Sequence, residues 1–446
     1  MYRKFYFALL LFSGLFLMGC NKNTDDKLPQ TGSVSDVDIN KVMNLPYSQL
    51  TPDEQKVKLE QESIDFLNES NALKNLAAVE TIQYFSDLLE TSQPEIPEMI
   101  KEKGSVKSVK EVFDLTYAYG VYTWNASSKK WTRTDSSSEL KFVFPAKKGT
   151  TSNNASLSFK VANSGVTFTE KWWDEDYVDG EWIEIEVETV YNLPKSVICT
   201  LNVDNRESAK IEFGAEYKDN KEIPVNAIYK MNTGEGYEFW WKVEKGTESK
   251  VSMKFSHKDK SLLEGMAKTG AKIDEIVDNE SFGDNYNFLN KADAYLKLMD
   301  NLMIVYTVDI EKFAKELDVI DTWYDNKYYA LPSYGTETYW TQREQLEKDY
   351  SDRMAKAFND YMNASLVATR ENYKIADLVW VSEKTGRTYQ DWEWDCYCYI
   401  DRYDEYGGNL YLKFKDNTLI EASVYFGEGF NELENKWEDF VNAFDR

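Results

Sequence analysis

Hydrophobic and polar positions alternate with two different periods along this chain. Between Leu50 and Glu90 apolar residues recur at helical spacing, and from Tyr119 to Phe255 they recur at every second position. The segment LTPDEQKVKLEQESIDFL has Thr51 as helix N-cap, Pro52 at the first helical position and Glu54 to close a capping box. Val57, Ile64 and Leu67 supply its apolar stripe. A second helix follows over ALKNLAAVETIQYFSDLLE, with Leu73, Leu76, Phe85, Leu88 and Leu89 near one face, and Pro94 and Pro97 end the pair.

The period then drops to two. YGVYTWNASSKKWTRT reads as a hairpin turning at Asn125–Lys129. In WIEIEVETVY, Ile183, Ile185 and Val187 share one face, while Glu184, Glu186 and Glu188 share the other, which must meet water. Runs of six to nine residues follow, separated by turns at DNRE, KDNK, NTGEG and KGTE. Such short links leave no room for parallel crossovers and predict an antiparallel up-and-down meander. Its apolar face needs a cover. The two helices are candidates, as is NYNFLNKADAYLKLMDNLMIVY read as a third helix with Phe288, Leu289, Leu296, Met299 and Met303.

The last third repeats the theme. A charged helix, QREQLEKDYSDRMAKAFNDYMNASL, precedes DWEWDCYCYI, where Trp392, Trp394, Cys396, Cys398 and Ile400 fall on one face of a strand. Turns at Gly407-Gly408-Asn409 and Asp416-Asn417 predict two hairpins, and FNELENKWEDFVNAF places Phe430, Leu433, Trp437, Phe440, Val441 and Phe444 on one helical stripe. The fold class expected is therefore α+β: an antiparallel up-and-down β meander, curved or a half-barrel, with packed helices, then a C-terminal antiparallel sheet with a closing amphipathic helix. On architecture this resembles the half-barrel of lipoprotein-carrier folds.

The amino terminus changes the setting. Arg3 and Lys4 precede an uncharged run from Phe5 to Met18, the layout of a secretory signal and too short to span a bilayer with ease. Leu17, Met18, Gly19 and Cys20 resemble the bacterial lipobox, which implies cleavage before Cys20 and acylation of that thiol. Asn21 after the cysteine is compatible with the Gram-negative rule for transfer to the outer membrane. The boundaries expected are a signal peptide at 1–19, a flexible polar tether at 20–45, a helical pair with meander and further helices at 46–334, and a helix, meander and closing helix at 335–446. The layout as a whole resembles uncharacterised envelope lipoproteins of gut-type Gram-negative anaerobes, which implies an envelope location and no known activity.

Composition narrows the chemistry. The 446 residues carry 52 Lys and Arg against 77 Asp and Glu, a net charge of −25, which opposes nucleic acid and anionic lipid headgroups. His257, the single histidine, lies in the polar turn FSHKDK, and no G-x-S-x-G elbow accompanies it. Asp174, Asp176, Asp179 and Gly180 have calcium-loop flavour, but the acids are mis-spaced and Ile185 stands where the closing Glu belongs. An acidic hairpin turn is the better reading. Trp172, Trp173 and Trp182 around it form a candidate glycan platform. With Cys20 acylated, a bridge from Cys199 to Cys396 or Cys398 stays open. These readings predict no metal, no cofactor and no catalytic set. They predict a lipid-anchored outer-membrane protein that binds or scaffolds, with a glycan, an apolar ligand or an envelope protein as partner. A polysaccharide hydrolase working through two carboxylates is the alternative.

Overall fold

The computed structural model describes residues 28–94, 100–105, 108–113, 115–178, 181–278, 289–393 and 397–427. Its strands form one large, mostly antiparallel sheet that does not close. Sixteen strands make a continuous row. It begins at the edge with β4 (Lys130–Thr134), then β3 (Gly120–Asn125), β5 (Leu140–Phe144) and the long hairpin β6 (Ala155–Val178) and β7 (Glu181–Val203). The meander follows as β8 (Arg206–Glu216), β9 (Asn226–Thr233), β10 (Tyr237–Glu244), β11 (Ser249–His257), β12 (Lys260–Thr269), β13 (Lys291–Leu298) and β14 (Leu302–Asp309). The row ends with β15 (Met362–Ala368), a second long hairpin, β16 (Tyr373–Glu393) and β17 (Cys398–Lys413), and the short β18 (Leu419–Glu421). A two-stranded ribbon, β1 (Ile100–Ser105) and β2 (Ser108–Phe113), joins the outer half of β7 in parallel. The other parallel pair is β3 with β5.

The meander turns form where the sequence places them. Asp204-Asn205 and Asp219-Asn220 take positive φ, as the turn chemistry of these residues allows. Helix α1 (Ile39–Met43) is one turn long; α2 (Pro52–Ser70) carries the expected Thr51–Glu54 capping box. A 3₁₀ segment, Asn71–Asn75, leads into α3 (Ala77–Thr91). Within α2 the buried apolar positions are Leu59 and Leu67, while Val57 points to water. Three shorter or later helices are α4 (Ile273–Asp278), α5 (Ile310–Tyr328) and α6 (Glu337–Tyr361), and α7 (Ala422–Gly427) ends the described chain.

Four expectations change. The segment read as a third helix is instead the hairpin β13–β14, because Met299 and Asp300 adopt positive φ and make a tight turn, and the β-branched run Ile304, Val305, Thr307, Val308 favours strand. Phe288 lies outside the described residues. The C-terminal strands form no separate sheet: β15 pairs directly with β14, Leu302 opposite Ala368, so the sheet runs through the expected 334/335 boundary. In DWEWDCYCYI the expected single strand is instead the ends of two paired strands, Trp392 opposite Tyr399 and Glu393 opposite Cys398, while Trp394 and Cys396 lie outside the described residues. Gly407, Gly408 and Asn409, expected as a turn, run inside β17 opposite Glu383, Ser382 and Val381. The turn at Asp416-Asn417 forms as expected, and the amphipathic stripe from Phe430 to Phe444 lies outside the described residues.

Candidate functional site: an apolar floor between helices, opposite a strapped face

The pairing registers of β8–β15 show what each face of the sheet is made of. On one face Phe213, Tyr229, Trp241, Met253, Gly265, Leu296, Ile304 and Leu366 are successive cross-strand partners. One pleat to one side the row reads Ala215, Ala227, Val243, Val251, Ala267, Ala294, Tyr306, Ala364. One pleat to the other side it reads Ile211, Met231, Phe239, Phe255, Leu263, Leu298, Leu302, Ala368. No charged or amide side chain occurs in these three rows. Only phenol and indole groups offer a hydrogen bond.

Helices cover part of this surface. Leu59 of α2 packs with Leu302, Leu366, Ala368 and Leu412. Phe85 and Leu88 of α3 pack with Phe142, Phe144, Leu201 and Ile211. The α2 end is pinned at the β11–β12 turn, where Lys260 Nζ lies 2.7 Å from Glu69 Oε1 and Tyr237 donates to the Glu69 carbonyl at 2.6 Å. His257 closes this clamp. Its ring stacks on Tyr237 at 4.1 Å with Nδ1 3.5 Å from Glu69 Oε2, so the histidine expected in a solvated turn has a packing role. On the far side, α6 lies over β15–β17, Phe358 packing tilted against Trp380 with ring centroids 4.7 Å apart while Asn359 bonds both backbone groups of Trp380. At the β15–β18 end Tyr425 of α7 closes the surface, and Leu366, Ala376 and Leu412 beneath are fully buried.

Between these helices the floor over β11–β14 stays open. Val251 is 46% exposed, Leu296 44%, Ile304 41% and Tyr306 36%. The residues among them are small. A Cβ on Gly265 would stand 3.3 Å from Leu296 and 3.4 Å from Met253, so glycine keeps a shallow trough between those two side chains, continued by Ala267 and Ala294. An apolar patch of this kind on a folded chain marks an interaction surface.

The opposite face is half polar and carries a different cover. Residues 28–48 cross it from β8 to β16 as a strap. Leu28 and Pro29 lie on Gly214, where a Cβ would come within 2.6 Å of the Pro29 ring. Gln30 accepts from Lys230 at 3.0 Å. Ser35 N–H donates to Glu264 Oε1 at 2.8 Å, its carbonyl accepts from Tyr295 at 2.8 Å, and its hydroxyl accepts from Lys297 at 3.1 Å. Val34, Val37, Ile39, Val42, Met43 and Leu45 then pack on Met266, Tyr295, Met303, Val305 and Val367. Pro46 and Ser48 bond the backbone of Lys374 in β16, and Tyr47 donates to Asp377. Burial would raise Glu264, yet the Ser35 hydrogen bonds and the Lys297 charge hold it below the usual carboxylate range. Asp377 follows the same logic, burial opposed by Lys374, Tyr47 and Ser365.

Residues 28–45, expected as flexible tether, are thus bound to the sheet. The reason is legible afterwards: six apolar residues between Val34 and Leu45 are too many for a solvated linker.

The remaining sequence candidates are dispersed. Cys20 lies outside the described residues. Cys199 is a free buried thiol, pushed up to about 12 by burial, and Cys398 is disulfide-bonded, so no Cys199–Cys398 bridge forms. Trp172 and Trp173 are strand neighbours and point to opposite faces of β6. Trp173 and Trp182, 67% and 70% exposed, share a face with Glu184 and Glu186 but stand four positions apart, about 13 Å along the strand. The three indoles do not make one platform. Asp174 accepts from the Glu175 N–H, and Asp179 and Gly180 lie outside the described residues. Among the described residues no group of three or more His, Cys, Asp and Glu is placed to hold a metal, and no helix is long and apolar enough to cross a membrane. Comparison with family models, with curated proteins and with solved structures finds no match for this chain.

Proposed function

We propose that this chain is a lipid-anchored, non-catalytic protein of the outer membrane that holds an apolar ligand on the floor between α2–α3 and α5–α6. The observation that carries the reading is the unbroken apolar composition of three rows across eight strands, with four large side chains left in water over β11–β14. Such a surface cannot read hydroxyls or charges. It selects hydrocarbon area and shape, and about 25 cal/mol is released per Å² of apolar surface covered. The sheet then acts as a half-barrel would, its strands a floor and its helices a rim.

Anchoring through Cys20 gives the strap a second meaning. Only seven residues, eight steps of chain, separate Cys20 from Leu28, which is fixed on β8, and an extended chain spans at most about 3.6 Å per residue. The body is therefore held within roughly 30 Å of the bilayer, with the β8 end of the strapped face nearest to it. A ligand of hydrocarbon type is found in that same layer. Two measurements test the proposal. Cys20→Ser should move the protein from the membrane to the soluble fraction. cis-Parinaric acid should gain fluorescence on residues 21–446 and lose at least about tenfold in affinity with Ile304→Asp, which puts a charge in the floor at a price of a few kcal/mol. Membrane retention without the thiol, or equal binding by Ile304→Asp, defeats the corresponding half.

A further inference from the structure

We propose that the outer half of the β16–β17 hairpin and the start of α6 form a second binding site, for a neutral saccharide that stacks on Tyr334 and Tyr389 and is hydrogen-bonded by Asp391 and Arg402. The inference does not depend on the apolar floor.

The hairpin's own alternation brings the groups together. Tyr389, Asp391 and Glu393 fall on one face of β16. Tyr389 pairs with Tyr403 and Gln390 with Asp401, so Arg402 is the extra residue of a bulge in β17. A bulge re-aims a side chain. Arg402 accordingly joins Tyr403 on the helix side, its guanidinium 5.0 Å from the Trp340 ring centre, with Nη2 2.7 Å from Glu393 Oε2 and 3.6 Å from Asp391 Oδ2. Helix α6 begins here, and Tyr339 and Trp340 of its first turn are buried with Tyr403.

Those three buried rings suffice to pack the helix on the hairpin, yet two more stand beside them in water. Tyr334 is 63% exposed and lies 5.3 Å from Trp340; Tyr389 is 37% exposed, 6.1 Å from Trp340, and stacks on Tyr403 at 5.0 Å. Tyr334 donates to Asp391 Oδ1 at 2.7 Å, which fixes its ring beside the acid and the guanidinium. A carboxylate accepts several donors and a guanidinium offers several, and these contacts use only part of either. Arg402 Nε and the Trp340 indole N–H are buried with no acceptor among the described residues, an uncommon state for such donors.

The chemistry matches one class of ligand. A saccharide lays its C–H faces on aromatic rings and has hydroxyls that both donate and accept, so exposed phenols beside an acid–guanidinium pair complement it. Charge narrows the class. Asp391 and Glu393 outnumber Arg402, Arg343 nearby is paired with Glu347 at 2.6 Å, and the whole chain carries −25. Sulfated, sialylated and phosphorylated ligands are therefore repelled.

A printed array of neutral, sialylated and sulfated saccharides tests the class. The full chain should bind neutral members and none of the acidic ones. Silence across the array, or binding confined to acidic members, overturns the proposal; silence would leave the exposed rings to a protein partner. Isothermal titration with the best-bound saccharide tests the place. Tyr389→Ala should lower affinity at least about tenfold, while Tyr389→Phe should keep it because the ring face remains. Trp182→Ala, on the other long hairpin, should change nothing. A loss with Trp182→Ala and none with Tyr389→Ala overturns the site. Tyr389→Ala should also bind cis-parinaric acid as the parent does, which separates this site from the floor.

Discussion

The two faces of β8–β15 are built from the same strands and covered by opposite means. On the helix-bearing face three rows are wholly apolar, and α2 and α3 cover part of them with apolar side chains. On the strapped face Lys230, Lys254, Glu264 and Lys297 sit in one row among Trp240 and Met303. A long helix across the charged row would have to meet every charge with side chains, since its backbone groups are paired internally; the single turn α1 lies only over the apolar cluster of Met266, Tyr295, Met303, Val305 and Val367. An extended segment keeps its N–H and C=O groups free. Ser35 meets Glu264, Tyr295 and Lys297 at once through its amide, carbonyl and hydroxyl, beside the bonds these three make to one another. The composition of a sheet face thus decides what kind of segment can close it.

The largest effect should come from removing the strap. Deleting residues 28–45 uncovers Met266, Met303, Val305 and Val367 and strands Glu264 beside Lys297 without its amide donor. A loss of roughly 5 kcal/mol or more is expected in denaturant unfolding, enough to leave the chain aggregated. A tether would tolerate the same deletion without change, so unaltered unfolding would show that the strap contributes nothing.

Charge on the strapped face should come second. Glu264→Gln removes the anion and leaves buried Lys297, 3.5 Å away, with only the exposed Asp300 carboxylate, and half-buried Lys254, 3.8 Å away, without its acid; it is expected to cost about 2 kcal/mol. The double change Glu264→Leu with Lys297→Met should recover much of that, which separates an unpaired charge from a lost contact. Acid should act in the same direction. Because Glu264 and Asp377 are held below their unfolded values, near 4.3 and 3.9, the unfolded chain takes up protons first as pH falls. Their contribution is complete above about pH 5 and is lost as pH drops through the lowered folded values. Hydrogen exchange of residues 28–48 should then quicken below pH 4, while α2 and α3, held by apolar contacts, keep their protection.

How far the fold could be read from the chain depends on the range of each contact. The α2 capping box, the meander turns and the alternation of β7–β11 are local, and each is legible in a window of a few residues. β13–β14 misled because LKLMDNLM has equal apolar density at both periods, and only the positive φ at Met299 and Asp300 decides between them. Union of the C-terminal strands with the meander depends on β14 meeting β15 across the 52 intervening residues 310–361, in pairs from Val308–Met362 to Leu302–Ala368, which no local pattern encodes. The floor was half legible: alternation showed an apolar face that needed a cover, but not that the cover would stop short over β11–β14. Glu264 in LLEGMA looked like any outward carboxylate of a strand, because its neighbours Ser35 and Lys297 are remote in sequence.

The smallest and sharpest test lies within one strand. Val305 and Ile304 are adjacent in β14, yet Val305 is 0% exposed beneath the strap and Ile304 is 41% exposed in the floor. Val305→Ala leaves a cavity bounded by Met303, Tyr295 and the strap and should lower stability by about 2 kcal/mol. Ile304→Ala removes more carbon but less buried carbon, so a loss below about 1 kcal/mol is expected in the same denaturant titration. A loss at Ile304 as large as that at Val305 would mean that the floor is closed, and that the asymmetry between the two faces is one of composition alone.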